Sequence, residues 1–126
     1  MATSVLIVDD SKLARIVMAK AVAAIFPDWE RVEAGSAAEA LDLLTSREVD
    51  VVILDYNMPG QNGLELAEEL RRRRPDLPIA VATANVQDEV IARARAANAA
   101  FVSKPISERS LRPFLESVAP KLGPSS

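Results

Sequence analysis

The sequence predicts one doubly wound α/β sandwich built on a five-stranded parallel sheet, and three observations carry that expectation. Short apolar runs alternate strictly with longer segments of helical period. Most of the runs are continuously apolar rather than alternating, as strands buried on both faces are. The length of 126 residues suits a single domain with a proper core, and no segment repeats.

The strands are expected at Ser4–Val8, Arg31–Ala34, Val51–Leu54, Ile79–Ala82 and Phe101–Ser103. The first helix, Ser11–Phe26, carries an apolar stripe of Leu13, Ile16, Val17 and Ile25 and stops at Pro27. Ser36 with Glu39 forms a capping box that opens Ala37–Thr45, with Ala40, Leu41 and Leu44 facing the core. Gly63 precedes a helix over Leu64–Arg74, which Pro75 ends. Val86–Ala97 follows, with Asn98 as a left-handed stop. Ser107 or Ser110 caps the last helix, and Ser110 is preferred because it puts Pro113 in a first turn. That helix buries Leu111, Phe114, Leu115 and Val118. The domain is expected over residues 1–122, with a frayed tail at 123–126.

Composition narrows the chemistry. Apolar residues make up 49% and charged residues 26%, and 15 basic against 18 acidic side chains give a net charge of −3. That balance argues against nucleic acid or an anionic membrane as the direct partner. No run approaches the roughly 20 apolar residues that a membrane span requires. Cysteine and histidine are both absent. The chain therefore builds no disulfide, no Ser-His-Asp or Cys-His machinery and no thiolate or imidazole zinc site. Carboxylates, lysine, hydroxyls, backbone amides and a hard cation remain.

The carboxylates sit at telling places. "VLIVDDSK" runs the first strand into Asp9 and Asp10, and "VVILDYNMP" ends the third on Asp55. Parallel sheets bind ligands at the carboxyl ends of strands, where the strand order reverses. In the order 2-1-3-4-5, strands one and three are neighbours roughly 5 Å apart. Three carboxylates then crowd one pocket, and a divalent cation such as Mg²⁺ or Mn²⁺ makes their repulsion tolerable. Ordinary alternatives exist for each alone: Asp10–Ser11 as a helix cap, Asp55 as a turn former. Strand four ends with Thr83 and strand five leads to Lys104, a hydroxyl and an ammonium suited to an oxyanion such as phosphoryl. Asp55 would accept that group as an aspartyl phosphate.

Together, "VDDS", "LDYNMPGQNGLEL", "ATAN" and "FVSKP" resemble the receiver domain of two-component response regulators, most of all the single-domain chemotaxis (CheY-like) type with its flavodoxin-like fold. The resemblance covers about Val5 to Leu122. It implies that Asp55 is the phosphoacceptor, served by a sensor histidine kinase, a phosphotransfer protein or a small phosphodonor. It implies Mg²⁺ bound by Asp10, Asp55 and the backbone carbonyl of Asn57, with Asp9 acting through water. Lys104 matches the lysine on the phosphoryl oxygens, Thr83 the hydroxyl that moves toward them, and Phe101 the switch aromatic. The Lys104–Pro105 bond is expected to be cis. An output protein would read the face made by helix four, strand five and helix five. A cytoplasmic monomer or weak dimer is implied, self-catalysing its phosphorylation and dephosphorylation rather than acting as an enzyme on other molecules.

Departures from the pattern accompany it. Tyr56 stands where some relatives carry tryptophan, Phe101 lacks the hydroxyl of the commoner tyrosine, and Ala97 replaces a usual glycine. Asn57 and Asn85 occupy positions where relatives vary their dephosphorylation rate. Trp29 is expected far from the site. The "RRRR" run at Arg71–Arg74 reads as the solvated, dipole-favoured end of a helix, and Met58 as a loop-packing residue. Three alternatives stay open: a pseudo-receiver recognised without phosphorylation, a metal-dependent phosphatase, or a fragment of a longer regulator. A haloacid-dehalogenase type of phosphatase wants an acid where Asn57 stands.

Overall fold

The computed structural model describes residues 3–58, 62–84 and 87–122. Five strands, β1 (Ser4–Val8), β2 (Glu30–Ala34), β3 (Val51–Asp55), β4 (Ile79–Thr83) and β5 (Ala100–Ser103), alternate with five helices. These are α1 (Lys12–Ile25), α2 (Ala37–Ser46), α3 (Gly63–Arg73), α4 (Asp88–Ala96) and α5 (Glu108–Val118), followed by a short 3-10 turn. All pairings are parallel and the order is β2-β1-β3-β4-β5, the doubly wound, flavodoxin-like topology expected.

Strand pleating sends successive side chains to opposite faces, so each central strand feeds two cores. Leu6, Val8, Val52, Leu54 and Val81 pack with Ala40, Leu64, Leu70 and Val90 beneath α2, α3 and α4. Val5, Ile7, Ile53, Ala82 and Val102 pack with Met18, Val22, Leu111 and Leu115 beneath α1 and α5. Burial on both sides explains why these strands read as unbroken apolar runs.

The stripe expected for α1 is not its buried face. Leu13, Ile16 and Val17 are exposed, and the helix instead buries Met18, Ala21 and Val22. Both sets obey the helical period, and Met18, Ala21, Val22 and Ile25 fall at the spacing of one continuous face. The last helix also starts earlier than preferred. Ser107 is the cap, its side chain accepting from the Ser110 backbone while the Ser110 hydroxyl accepts from Ser107 N–H. Pro113 consequently lies inside α5, where it offers no N–H to the carbonyl four residues back.

Other local expectations match. Ser36 accepts from Glu39 N–H, although the Glu39 carboxylate accepts from Gly35 N–H rather than closing the expected box on Ser36 N–H, and Asn98 takes φ 54° just past α4. Met58 packs against the core beneath α3. Trp29 stacks on Phe26 with ring centroids 4.4 Å apart, at the start of β2 and so at the opposite end of the sheet from the strand termini bearing the carboxylates. Pro59, Asn85, Val86 and the tail from Gly123 lie outside the described residues.

The arginine run divides by environment. Arg72 and Arg73 pair with Glu69 on the surface. Arg71, expected to be solvated, is half-buried and donates to the carbonyls of Arg74, Pro75, Ala97 and Asn98. It thereby ties the C-terminal end of α3 to that of α4.

Candidate functional site: an acidic pocket at the strand ends

The register brings the site together. Val8 pairs with Leu54, so the next residues along, Asp9 and Asp55, emerge level with one another at adjacent strand ends. On the far side of β3, Asp55 pairs with Ala82, and Thr83 pairs with Ser103, the residue before Lys104. Four strand ends thus converge on one pocket through parallel pairing alone.

Asp9, Asp10 and Asp55 each present a carboxylate oxygen, and the three atoms lie within 4.8 Å of one another. Asp9 and Asp55 are buried, while Asp10 is exposed. Ser11, not Asp10, caps α1, accepting from Ala14 N–H at 3.2 Å. The alternative role for Asp10 as a helix cap is therefore taken by its neighbour. One oxygen of Asp9 accepts from Ser11 N–H at 2.9 Å. Its other oxygen is buried with no hydrogen-bond partner among the described residues. Burial pushes the Asp9 carboxyl above its ordinary value, the Ser11 N–H opposes this, and the charge of Asp55 raises it further.

Lys104 Nζ forms an ion pair with Asp55 Oδ1, an oxygen that accepts no conventional hydrogen bond. Its backbone N–H donates to Thr83 O at 3.0 Å, fastening the β5–α5 loop to β4. The Lys104–Pro105 bond is cis. Thr83 is fully buried at the end of β4. Asn57 is exposed in the loop after β3, close in sequence to Asp55. Phe101 is half-buried on β5 opposite Val81, two residues before the strand end and so below the carboxylates.

This set fits a hard cation. Two adjacent acids and a third across the strand pair give an all-oxygen donor set with a buried, unpartnered oxygen, and carboxylates held this close repel unless neutralised. Lys104 neutralises part of that charge and is poised beside the same Asp55 oxygen.

Two features escaped the sequence reading. Gly63, the first residue of α3, presses on the end of β3: a Cβ there would stand 2.3 Å from Asp55 O. Only its place before a helix marked it in the sequence. Leu13 and Val17 of α1 line an apolar groove with Pro105 and Ile106, and Asp9 and Lys104 are also among its lining.

The chain matches the family profile described as the response regulator receiver domain over residues 5–116. It is 38% identical to a chemotaxis protein CheY homolog of Campylobacter jejuni across 90% of this chain and 89% of that protein. The same identity relates it to the cyclic di-GMP phosphodiesterase response regulator RpfG of Xanthomonas campestris, of which it spans 30%, covering 86% of its own length. Among solved structures, that of the chemotaxis protein CheY4 of Vibrio cholerae superposes with a TM-score of 0.84 at 27% identity, covering 94% of this chain and 99% of that one. Receiver domains are phosphoacceptor signalling proteins that interact with histidine kinases and output proteins, and the family uses Mg²⁺. With its profile, its strand order and its acidic strand ends all in agreement, the chain belongs to the response regulator receiver domain family.

Proposed function

We propose that the chain is a phosphorylation-dependent switch whose Asp55 accepts a phosphoryl group from a phosphohistidine on a sensor kinase or phosphotransfer protein, or from a small phosphodonor. The observation that carries this is the ion pair of Lys104 with Asp55 inside a cluster of three carboxylates. Asp9, Asp10, Asp55 and the Asn57 carbonyl would hold Mg²⁺. When bound, the cation neutralises charge on the acids and on the transferring group.

The chain's own residues do the rest. A carboxylate oxygen of Asp55 attacks phosphorus; the new O–P bond forms as the P–N bond to the donor imidazole breaks, and the imidazole leaves with the electron pair. Lys104 offers an ammonium to the phosphoryl oxygens as charge shifts onto them. Burial of Asp55 among strand ends fixes the nucleophile, so positioning and electrostatics carry the acceleration.

The product adds charge of roughly −1.5 to −2, a new acceptor near the Thr83 hydroxyl and Lys104. Thr83 moving toward it vacates space beside β4, into which the half-buried Phe101 turns. The face of α4, β5 and α5 then changes its population of states, and an output protein reads the change. The apolar groove of Leu13, Val17, Pro105 and Ile106 beside Asp9 and Lys104 favours a protein donor, since a helical partner covering it would bring its histidine to the pocket. Such donors place the exchange in the cytoplasm. The same residues serve the self-catalysed return, with water in place of the imidazole.

Intact-mass measurement with Mg²⁺ and acetyl phosphate tests this directly. A single labile phosphoryl adduct is expected, absent from Asp55→Asn and not formed when EDTA replaces Mg²⁺. An adduct that persists in Asp55→Asn, or none in the wild-type chain, refutes it.

A further inference from the structure

The two adjacent acids are joined by one peptide unit, and Asp9 is held through both its backbone N–H and its carbonyl. Asp9 lies one residue beyond the β1–β2 ladder, which ends at Val8 and Ala34. Its N–H still reaches Ala34 O at 3.1 Å. Its carbonyl has no further strand to pair with, and Arg15 supplies the donor: Nη1 reaches Asp9 O at 2.7 Å. The same guanidinium places Nε 3.0 Å from Glu33 Oε1 on β2, with the Arg15 side chain only 18% exposed. Gly35 leaves the passage for it, since a Cβ at that position would come within 3.3 Å of Arg15 Nη1.

We propose that Arg15 is a positioning residue for the acidic pocket: anchored on Glu33, it fixes the Asp9–Asp10 peptide and so the aim of two of the three carboxylates. This rests on the pocket being the Mg²⁺ site. Adjacent like charges push each other apart, and a peptide free to rotate would let the exposed Asp10 swing toward water. A planar guanidinium can grip a carbonyl and a carboxylate at once in fixed geometry, which an ammonium cannot. Groups that orient ligands in this way typically matter 10–100-fold, as an order of magnitude, for metal affinity.

The test is Mg²⁺ titration of the unphosphorylated protein, followed by amide resonances and calorimetry, on wild type, Arg15→Ala, Arg15→Lys and Arg47→Ala. Arg47 pairs with Glu30 at the other end of β2, so its loss reports on surface ion pairs of that strand alone. Arg15→Ala is expected to weaken Mg²⁺ about tenfold or more, with Arg15→Lys recovering part of the loss and Arg47→Ala matching wild type. The Asp10 and Ser11 amide signals should also shift in Arg15→Ala without Mg²⁺. A folded Arg15→Ala with wild-type Mg²⁺ affinity overturns the proposal, as does wild-type affinity in Arg15→Lys if the alanine variant fails to fold. Wild-type protein that binds no Mg²⁺ would overturn the metal site itself, a result separate from any difference among the variants.

Discussion

Replacing Gly63 by alanine adds one methyl group where the first turn of α3 presses on the end of β3. The new carbon would lie 2.3 Å from Asp55 O, 2.7 Å from Tyr56 Cα and 2.9 Å from Asp55 C. Carbon–carbon contacts settle near 3.5–4.0 Å, so the first turn of α3 and the end of β3 must separate by about 1 Å. Neither side yields readily. Leu64 and Leu66 on α3 are fully buried, and Asp55 ends a central strand. The same shift would stretch the Gly63 N–H bond to Tyr56 O, now 2.8 Å, beyond hydrogen-bonding range. The lost bond costs about 1 kcal/mol and the overpacking about 1–3 kcal/mol. Alanine's helix propensity returns at most about 1 kcal/mol. The net expectation is about 1–3 kcal/mol of destabilisation, a fall of roughly 0.5–1.5 M in the urea midpoint for a slope near 2 kcal/mol/M. Because the displaced backbone carries Asp55, phosphorylation by acetyl phosphate should slow by about 100-fold even at temperatures where the variant stays folded. A Gly63→Ala protein with the wild-type urea midpoint and wild-type phosphorylation rate would refute the reasoning.

Three further perturbations have distinct signatures. Arg71→Ala removes donors from the carbonyls of Pro75, Ala97 and Asn98 and should cost about 2–3 kcal/mol, with amide exchange accelerated first around Asn98; Arg71→Lys should not restore it. Asp9→Asn keeps an acceptor for Ser11 N–H while removing a buried charge, so in EDTA at pH 7 it should melt about 1 kcal/mol more stably than wild type. The sign follows from Asp9 titrating above its ordinary 3.8: the folded wild type binds that proton more tightly than the unfolded chain. Its penalty therefore grows as pH rises through the folded-state value and vanishes below 3.8, and the gap between the two melting curves should close on acidification. Mg²⁺ at ten times its Kd should stabilise wild type by about 1.4 kcal/mol and Asp9→Asn by less. Leu13→Glu, altering a side chain that is 71% exposed, should leave phosphorylation by acetyl phosphate unchanged while slowing transfer from a phosphohistidine protein, as stopped-flow or gel transfer assays would report.

Much of this molecule is written locally. Unbroken apolar runs of four or five residues, set between longer helical patterns, read as strands covered on both faces, and their alternation with helices leaves parallel pairing and one handedness. Once that is granted, Asp9, Asp10, Asp55, Thr83 and Lys104 must share an end of the sheet, because each follows or closes a strand running the same way. The caps at Ser36 and Asn98 were equally legible, since short-range hydrogen bonding and backbone preference depend on near neighbours only.

What the tertiary structure alone decided concerns choices that local chemistry leaves degenerate. Helix α1 carries apolar residues around more than one face, and the period cannot say whether Leu13 or Met18 turns inward. Contact with β1, β2 and α5 chooses Met18. Ser107 and Ser110 are both competent caps, and they end as reciprocal partners in one box. Arg71 reads as a surface cation and nothing in the sequence marks Arg15, yet each found backbone carbonyls left over where a helix or a ladder stops. Those carbonyls become neighbours only after distant segments pack, and a buried carbonyl without a donor is costly enough to draw a long side chain to it.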